Sequence, residues 1–449
     1  MSVVVYFFDI VTMIISAYWA LVNVKKLKTS TRYIIYYTFF VICIFPLFMD
    51  YIIGKPMYEL LPNRYHGFVI SYDDSTTRVL YDIFLMISQY IMLKCFWRQR
   101  YKFVLNFRPK QYGKEYVHNN DIYDFRELNR VMQRICVCVA LIAPIIAIIG
   151  GYTIILFVFG WRDEHLFDYV TASSLYSFME KFSYLGATMS LLLMFSDYRE
   201  KRTYRGLVYR IISIPLLIMN ICIESKRSII FFCFIMLVVI LIYGKSKEIK
   251  IGRIIGIASI LATIVIVLSV IVKTQSRGYS GIMTIYSTLR IDIFRDDTIK
   301  MAIYGMLNPN EIKILDFPFQ SYLMQIRYFF FMDIIAGKGF IPLQGLGFNK
   351  YLSAALVGAD LSMGYSFMTT SMFDEAIANF GVIGFLLAPI MCSIVTRNAD
   401  KYSGFEKTLM VGCLVLGMMY SPNYILFYIE VTVVINLILK YLKMRYRGA

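Results

Sequence analysis

The sequence predicts an all-α polytopic membrane protein with about 11 transmembrane helices and one large external loop. Three observations support this prediction. Hydrophobic residues make up 58% of the 449 residues, and the mean hydropathy is +0.61. The apolar residues occur in blocks that are long enough to cross a bilayer. Every second connection between these blocks is rich in lysine and arginine, as expected of cytoplasmic loops.

The predicted spans fall into two groups along the chain. The first group comprises 3–24, 33–53, 77–97, 135–159, 174–195, 207–223, 228–243 and 254–272. The second group comprises 376–395, 408–421 and 424–439. The basic residues follow the first apolar block rather than precede it, which predicts a retained span and not a cleavable signal peptide. The basic connection 98–134 then places the amino terminus outside the cell.

Three regions result from this layout. Residues 1–272 form the amino-terminal transmembrane helices, 273–370 form the large external loop, and 371–449 form the carboxy-terminal transmembrane helices. Loops of this length are usually functional or disordered, and the aromatic content of 273–370 argues against disorder. We therefore expect this loop to carry the active site. The eight cysteines lie in or near apolar blocks, so no disulfide framework is indicated.

The net charge of +16 is explained by membrane topology. The basic residues lie in short gaps between spans, so we do not expect a nucleic-acid partner. The spans themselves are expected to be nearly free of buried ionisable residues, with Glu430 as the main exception. No internal repeat is found. Both features disfavour a transporter.

A tight external turn places Arg227 at the mouth of a span, together with Glu224 and Lys226. An arginine here works against the usual charge bias of short external loops. Its side chain could extend to lipid headgroups, or it could be a fixed cation that receives a lipid-linked phosphate.

Two further arginines lie in the external loop, at Arg290 and Arg295. If 286–307 is one helix, these arginines are about 140° apart, so both cannot point at one small group. Arg290 would then share its face with Asp297, and Arg295 would lie nearest Asp292. Either the helix breaks between the arginines, or one of them is structural and ion-paired.

A metal site receives little support from the sequence. The paired acids Asp73-Asp74 and Asp296-Asp297 could be magnesium ligands, but adjacent acids diverge on a helix and no further ligand spacing accompanies them. His66 and His165 could act as general bases, although solvated loop histidines are the commoner case.

Several stretches together resemble the Wzy-type oligosaccharide repeat-unit polymerases of O-antigen and capsule. They are 45–51, 225–228, 289–297 and 378–384. The layout of ten or more spans with a dominant external loop and no soluble catalytic domain is also similar. The resemblance implies a fold like that of the C type of glycosyltransferases (GT-C), and a reaction that needs no metal or other cofactor. It also implies location in the bacterial cytoplasmic (inner) membrane, with the active site facing the periplasm or exterior.

The implied reaction polymerises repeat units that are linked to undecaprenyl pyrophosphate. Its expected partners are that lipid-linked oligosaccharide, the lipid bilayer, a chain-length regulator and a flippase. The cations implied to stabilise the departing diphosphate are Arg227, Arg290 and Arg295, and the candidate bases are Asp292, Asp296 and Glu375. The candidate substrate-binding residues are Glu224, Lys226, Arg277, Tyr279, Arg327 and Tyr365. On this basis, variants with alanine or lysine at Arg290 should accumulate normally and yield only single repeat units.

Two alternatives remain open at this point. A flippase for the same lipid-linked sugar should have two similar halves and charged residues within its spans. An O-antigen ligase would share the large loop and its arginines, so the sequence hardly separates it from a polymerase.

Overall fold

A computed structural model describes about three-fifths of the chain in several stretches. They are residues 3–23, 27, 29–60, 65–97, 130–149, 174–196, 204–224, 229, 232–233, 236–237, 282–329, 347–358, 361, 368–400, 404–420, 422 and 425. All regular secondary structure in these stretches is helical, which confirms the predicted α class. The predicted span 254–272 and most of 228–243 and 424–439 lie outside them.

The helices occur in both the predicted spans and the predicted external loop. In chain order they are α1 Val3–Leu21, α2 Ser30–Phe39, α3 Phe45–Ile52, α4 His66–Asp73, α5 Ser75–Trp97, α6 Arg130–Ile149, α7 Ser174–Ser196, α8 Tyr204–Glu224, α9 Ile282–Ile293, α10 Asp296–Leu307, α11 Gln320–Phe329, α12 Phe348–Val357, α13 Met372–Phe380, α14 Gly384–Ala399 and α15 Gly404–Met419. Helices α9 to α12 belong to the predicted loop, so that segment is itself largely helical where it is described.

Four of the described helices are long and apolar enough to cross a membrane. They are Val3–Leu21, Thr31–Ile52, Ser75–Trp97 and Met372–Ala399. Each agrees with a predicted span to within a few residues. Shorter apolar helices cover parts of four more predicted spans, at Gln133–Ile148, Phe182–Met194, Leu207–Ile223 and Met410–Met419.

The exposed surface of α1 is apolar and its buried face is polar. Asp9, Thr12 and Ser16 recur every three or four residues and are buried, whereas Phe7 and Ile14 are 63% and 65% exposed. This pattern is the reverse of a helix on a water-soluble protein, where large apolar side chains pack inward. It fits a helix whose outer surface is covered by lipid. The chain is therefore an α-helical membrane protein.

Contacts within the chain define two compact units. The first contains residues 1–108, 270–402 and 413–449, and the second contains 109–269 and 403–412. In the second unit, α6, α7 and α8 pack together, and Asn220 of α8 donates a hydrogen bond to the carbonyl of Ala140 in α6 at 2.9 Å. It also donates to the carbonyl of Leu216 within its own helix at 2.8 Å. Interhelical bonds such as the first satisfy polar groups where water is absent. The first unit carries the clustered charges described below.

The second candidate span is interrupted by a turn of π-helix, Phe40–Ile44, directly before Pro46. Proline has no N–H, so one carbonyl in the preceding turn loses its intrahelical partner. Two carbonyls of this turn accept hydrogen bonds from other segments. The Ile42 oxygen accepts the Arg295 N–H at 2.8 Å, and the Cys43 oxygen accepts the Tyr81 hydroxyl. The π turn thereby joins the predicted loop to the spans.

Helices α9 and α10 are separated at Phe294 and Arg295. Arg295 has φ −122° and ψ 3°, which ends the helical run and turns its N–H toward Ile42. Two acids, Asp296 and Asp297, then occupy the first turn of α10, where the helix dipole favours negative charge. Of the two possibilities left open by the sequence, the helix break is the one observed, and Arg290 is ion-paired as well.

Side chains at one end of the spans tie three of them together. Arg32 forms a salt bridge to Asp400 at 2.6 Å and also donates to the carbonyl of Phe96. Thr29 donates to Asp400 at 2.8 Å. The start of the second span, the end of the third and the end of the fourth therefore lie together, which agrees with their predicted relative directions.

The bend between α13 and α14 depends on two glycines. Gly381 has φ +59°, a left-handed conformation that favours glycine. At Gly384 an added Cβ would lie 2.3 Å from the Ala376 carbonyl oxygen, which is backbone and cannot move aside.

We expect Gly384→Ala to destabilise the protein by about 1 to 3 kcal/mol, the usual cost of an extra methyl in a packed site. Thermal unfolding of detergent-purified protein measures this loss. Gly347→Ala is the matched control, because its Cβ would meet only the movable side chain of Asn349. Equal unfolding temperatures for the two variants would contradict the packing seen at the bend.

Candidate functional site

A charged cleft of about 440 Å³ opens where α1 begins, α3 ends and α4 meets α5. Its volume is within the range of small-molecule sites. The lining residues are Val5, Tyr6, Asp50, Tyr51, Lys55, Tyr72, Asp73, Ser75 and Arg78. Most of these side chains are polar or charged, and the cleft lies at the opposite end of the spans from Arg32 and Asp400.

Two cations line the cleft, and both lie against the ring of Tyr72. The Lys55 ammonium is 5.2 Å from the ring centroid and the Arg78 guanidinium is 4.9 Å from it. Lys55 is half exposed and pairs with the equally accessible Asp73. Arg78 is buried and its Nη2 pairs with Asp9 in α1. One cation is therefore accessible at the rim, and the other is held at the base by a buried acid.

Asp50 connects the cleft to a buried charge network. The Tyr72 hydroxyl donates to Oδ2 of Asp50 at 3.1 Å, and the Tyr286 hydroxyl donates to Oδ1 at 2.6 Å. The Arg290 Nη1 also pairs with Oδ1. Asp50 comes from the end of α3, whereas Tyr286 and Arg290 come from α9. A residue of the predicted external loop therefore fixes the position of an acid that lines the cleft.

Arg290 is enclosed by three carboxylates and has no exposed side-chain surface. Its Nε donates to Asp297 Oδ2 at 3.0 Å, and its two terminal nitrogens pair with Asp296 and Asp50. The Tyr58 hydroxyl donates to the same oxygen of Asp297. Arg290 and Asp297 are thus in contact, as the sequence predicts. The guanidinium offers no free face to a ligand in this arrangement.

The two adjacent acids of α10 differ in their ionisation. Burial disfavours the charged form of Asp296, but Arg290 and Lys300 together hold its pKa below its usual value. Burial raises the pKa of Asp297 to about 7, and Asp50 adds to this effect while Lys300 opposes it. The network therefore contains one permanent carboxylate beside one that titrates near neutral pH.

Arg295 and Glu375 lie away from the cleft. Arg295 is fully buried, donates from Nε to the carbonyl of Met419, and lies 5.7 Å from the ring of Tyr420. Glu375 accepts hydrogen bonds from Ser321 and from Thr370 at 2.7 Å. These contacts tie helix ends together. Arg290 and Arg295 do not face a common group, and the break between α9 and α10 replaces the single helix that the sequence argument assumed.

The remaining predicted site residues are not placed by the structure. Glu224, Asp292 and Arg327 lie in helices α8, α9 and α11, and their side chains lie outside the described part. The other predicted residues lie wholly outside it, namely Lys226, Arg227, Arg277, Tyr279 and Tyr365, as does Glu430. Their roles stay predictions.

The expectation of few ionisable residues inside the spans is wrong for the first and third spans. Asp9 in α1 is 1% exposed, and Arg78 and Asp82 in α5 are 5% and 1% exposed. A helical-periodicity signal was available in the sequence. Asp9 shares its spacing with buried polar residues of α1, and Arg78 and Asp82 are one turn apart. The same periodicity also placed Lys300 beside the two acids of α10, since it follows them by three and four residues, and this contact was not predicted either.

No protein-family model, no curated protein and no solved structure matches this chain. The geometry alone defines the class: an α-helical membrane protein with a charged cleft at one end of its candidate spans. Within the described residues, no group of three histidine, cysteine or acidic side chains is arranged to hold a metal ion.

Proposed function

We propose that this protein polymerises undecaprenyl-pyrophosphate-linked repeat units into O-antigen or capsular polysaccharide. The supporting observation is that two cations, Lys55 and Arg78, line the charged cleft at the ends of the spans that the basic-loop pattern predicts to face outward. A lipid-linked diphosphate has its anionic group at this depth, next to the membrane surface. The resemblance to Wzy-type polymerases and a fold like GT-C belong to the same proposal.

In the proposed reaction, a hydroxyl oxygen of the acceptor unit attacks the anomeric carbon of the growing chain. The bond between that carbon and the diphosphate oxygen breaks, and undecaprenyl pyrophosphate leaves. Cations that are already in place stabilise the charge that develops on the leaving group. Lys55 and Arg78 line the cleft and are the residues best placed for this role.

The acceptor hydroxyl must also lose its proton during the reaction. Asp50 and Asp73 are the carboxylates that line the cleft among the described residues, so we assign the base to one of them. Asp73 is the more exposed of the two, and Asp50 is held by Tyr72, Tyr286 and Arg290. In this assignment Arg290 positions Asp50 and does not itself touch the diphosphate.

A second candidate function is transport of the same lipid-linked saccharide across the membrane. The observation that favours it is the set of buried charges within the spans, Asp9, Arg78 and Asp82. Ionisable residues inside spans often mark substrate or proton pathways. Their position beside the cleft is compatible with both functions.

Deletion of the gene in its host, followed by gel analysis of surface polysaccharide, separates the candidates. Loss of a polymerase should leave single repeat units on the surface, and expression of the intact gene should restore long chains. Absence of all surface saccharide would instead identify a flippase. Long chains that remain on undecaprenyl pyrophosphate would identify a ligase, and either result would overturn the proposal.

A further inference from the structure

We propose that Asp82 and Asp9 form a proton-binding site between the first and third candidate spans. The pair shares one proton at neutral pH and exchanges it with the charged cleft. The site stands on the arrangement of buried groups and does not depend on the proposed polymerase function.

The first observation is the lack of a hydrogen-bond donor at Asp82. Both of its carboxylate oxygens are buried, and neither has a hydrogen-bond partner within the described part of the chain. Among its charged neighbours Asp9, Lys300 and Arg78, the strongest interaction is with another acid, Asp9. Two ionised carboxylates cannot hydrogen-bond to each other, because both are acceptors only. One shared proton supplies the missing donor and removes the repulsion between like charges.

The second observation is the charge balance of the buried network. The acids in it are Asp9, Asp82, Asp296, Asp297 and Asp50, whose side chain is 5% exposed, and the cations are Arg78, Arg290 and Lys300. Among the described residues, the acids therefore outnumber the cations by two. A buried charge without a partner costs several kcal/mol, so such a network binds protons in preference to keeping every acid ionised.

The third observation is that no neighbouring cation is dedicated to Asp82. Lys300 of α10 faces it, but the Lys300 ammonium lies 2.9 Å from Asp296 and 3.7 Å from Asp297. Arg78, one turn earlier on α5, is paired with Asp9. Tyr81, the adjacent residue, donates its hydroxyl to the Cys43 carbonyl. Among the acids of this network, the negative charge of Asp82 is thus the least compensated by a nearby cation.

A path for proton exchange leads through Asp9. The Tyr51 hydroxyl donates to Asp9 Oδ2 at 2.8 Å, and Arg78 contacts the same oxygen. Both Tyr51 and Arg78 line the cleft. A proton on the carboxyl pair is therefore one side chain away from water, although Asp82 itself is buried.

Infrared spectroscopy of the full-length protein in lipid vesicles tests the site. At pH 7 the wild type should show the carbonyl band of a protonated carboxylic acid, and the band should shift in D₂O. Asp82→Asn should lose the intensity of one carboxyl group. Asp73→Asn, which removes an exposed and ion-paired acid, should leave the band unchanged. A band that is the same in Asp82→Asn and wild type would overturn the proposal.

Three further measurements keep the result decisive. An asparagine amide is uncharged, like a protonated carboxylic acid. Asp82→Asn should therefore unfold at the same temperature as wild type at pH 7. A variant that fails to fold would count against the proposal. Asp82→Glu should move the band without removing it. Replacing choline by sodium at constant ionic strength should leave the wild-type unfolding temperature unchanged. A stabilisation specific to sodium would show that a metal cation, and not a proton, balances the pair.

Discussion

Arg290→Ala is expected to destabilise the folded protein severely. The change leaves Asp50, Asp296 and Asp297 in a buried site without the cation that contacts all three. Removing one partner of a buried ion pair costs about 3 to 5 kcal/mol, a large part of the total stability of a typical domain. Arg290→Lys should also be destabilised, because a single ammonium group cannot replace a fork of donors. Membrane abundance of a fluorescent fusion and thermal unfolding in detergent measure both effects.

Lys313→Ala is the control for this experiment. Lys313 pairs with Asp316 on the surface, so its loss should change stability by about 0 to 1 kcal/mol. The sequence alone predicts that Arg290 variants accumulate normally and stop at single repeat units, and burial reverses the first half of that prediction. Normal accumulation of both Arg290 variants with only single units formed would return Arg290 to direct contact with the diphosphate.

Arg78→Lys is expected to leave folded protein in the membrane but to slow polymerisation about a hundredfold to a thousandfold. The lysine keeps the positive charge that Asp9 requires, so the buried pair persists. The planar fork that can hold two phosphate oxygens is lost, and a missing contact to a developing charge costs about 3 to 4 kcal/mol in the barrier. The length distribution of surface polysaccharide and the transfer rate in vesicles measure the effect.

The matched control for Arg78 lies on the same helix. Lys94 is exposed near the other end of α5 and contacts only Tyr90 among the described residues, so Lys94→Ala should give normal chains. Long chains at the normal rate from Arg78→Lys would remove this arginine from the leaving-group site and leave Lys55 as the cation of the cleft.

The sequence by itself determined the helical class and the approximate limits of the spans. The predicted 3–24, 33–53 and 77–97 correspond to Val3–Leu21, Thr31–Ile52 and Ser75–Trp97. This agreement has a simple cause. Transfer into lipid depends on the hydrophobicity of a continuous segment, which can be read without knowing what the segment contacts. The possibility of a helix break between Arg290 and Arg295 could also be anticipated, because two arginines five residues apart on one helix cannot face the same small group.

Only the tertiary structure decided the partners of the charged residues. Arg290 contacts Asp50, which is 240 positions earlier, and Arg295 contacts a carbonyl 124 positions later. The sequence singled out these arginines but assigned them to a ligand, whereas folding supplies carboxylates and carbonyls from distant segments. The same holds for Arg78 and Asp82, which are ordinary residues of a span until α1 brings Asp9 beside them. A charge in a low-dielectric interior is governed by its nearest opposite charge, and that distance is a property of the packing.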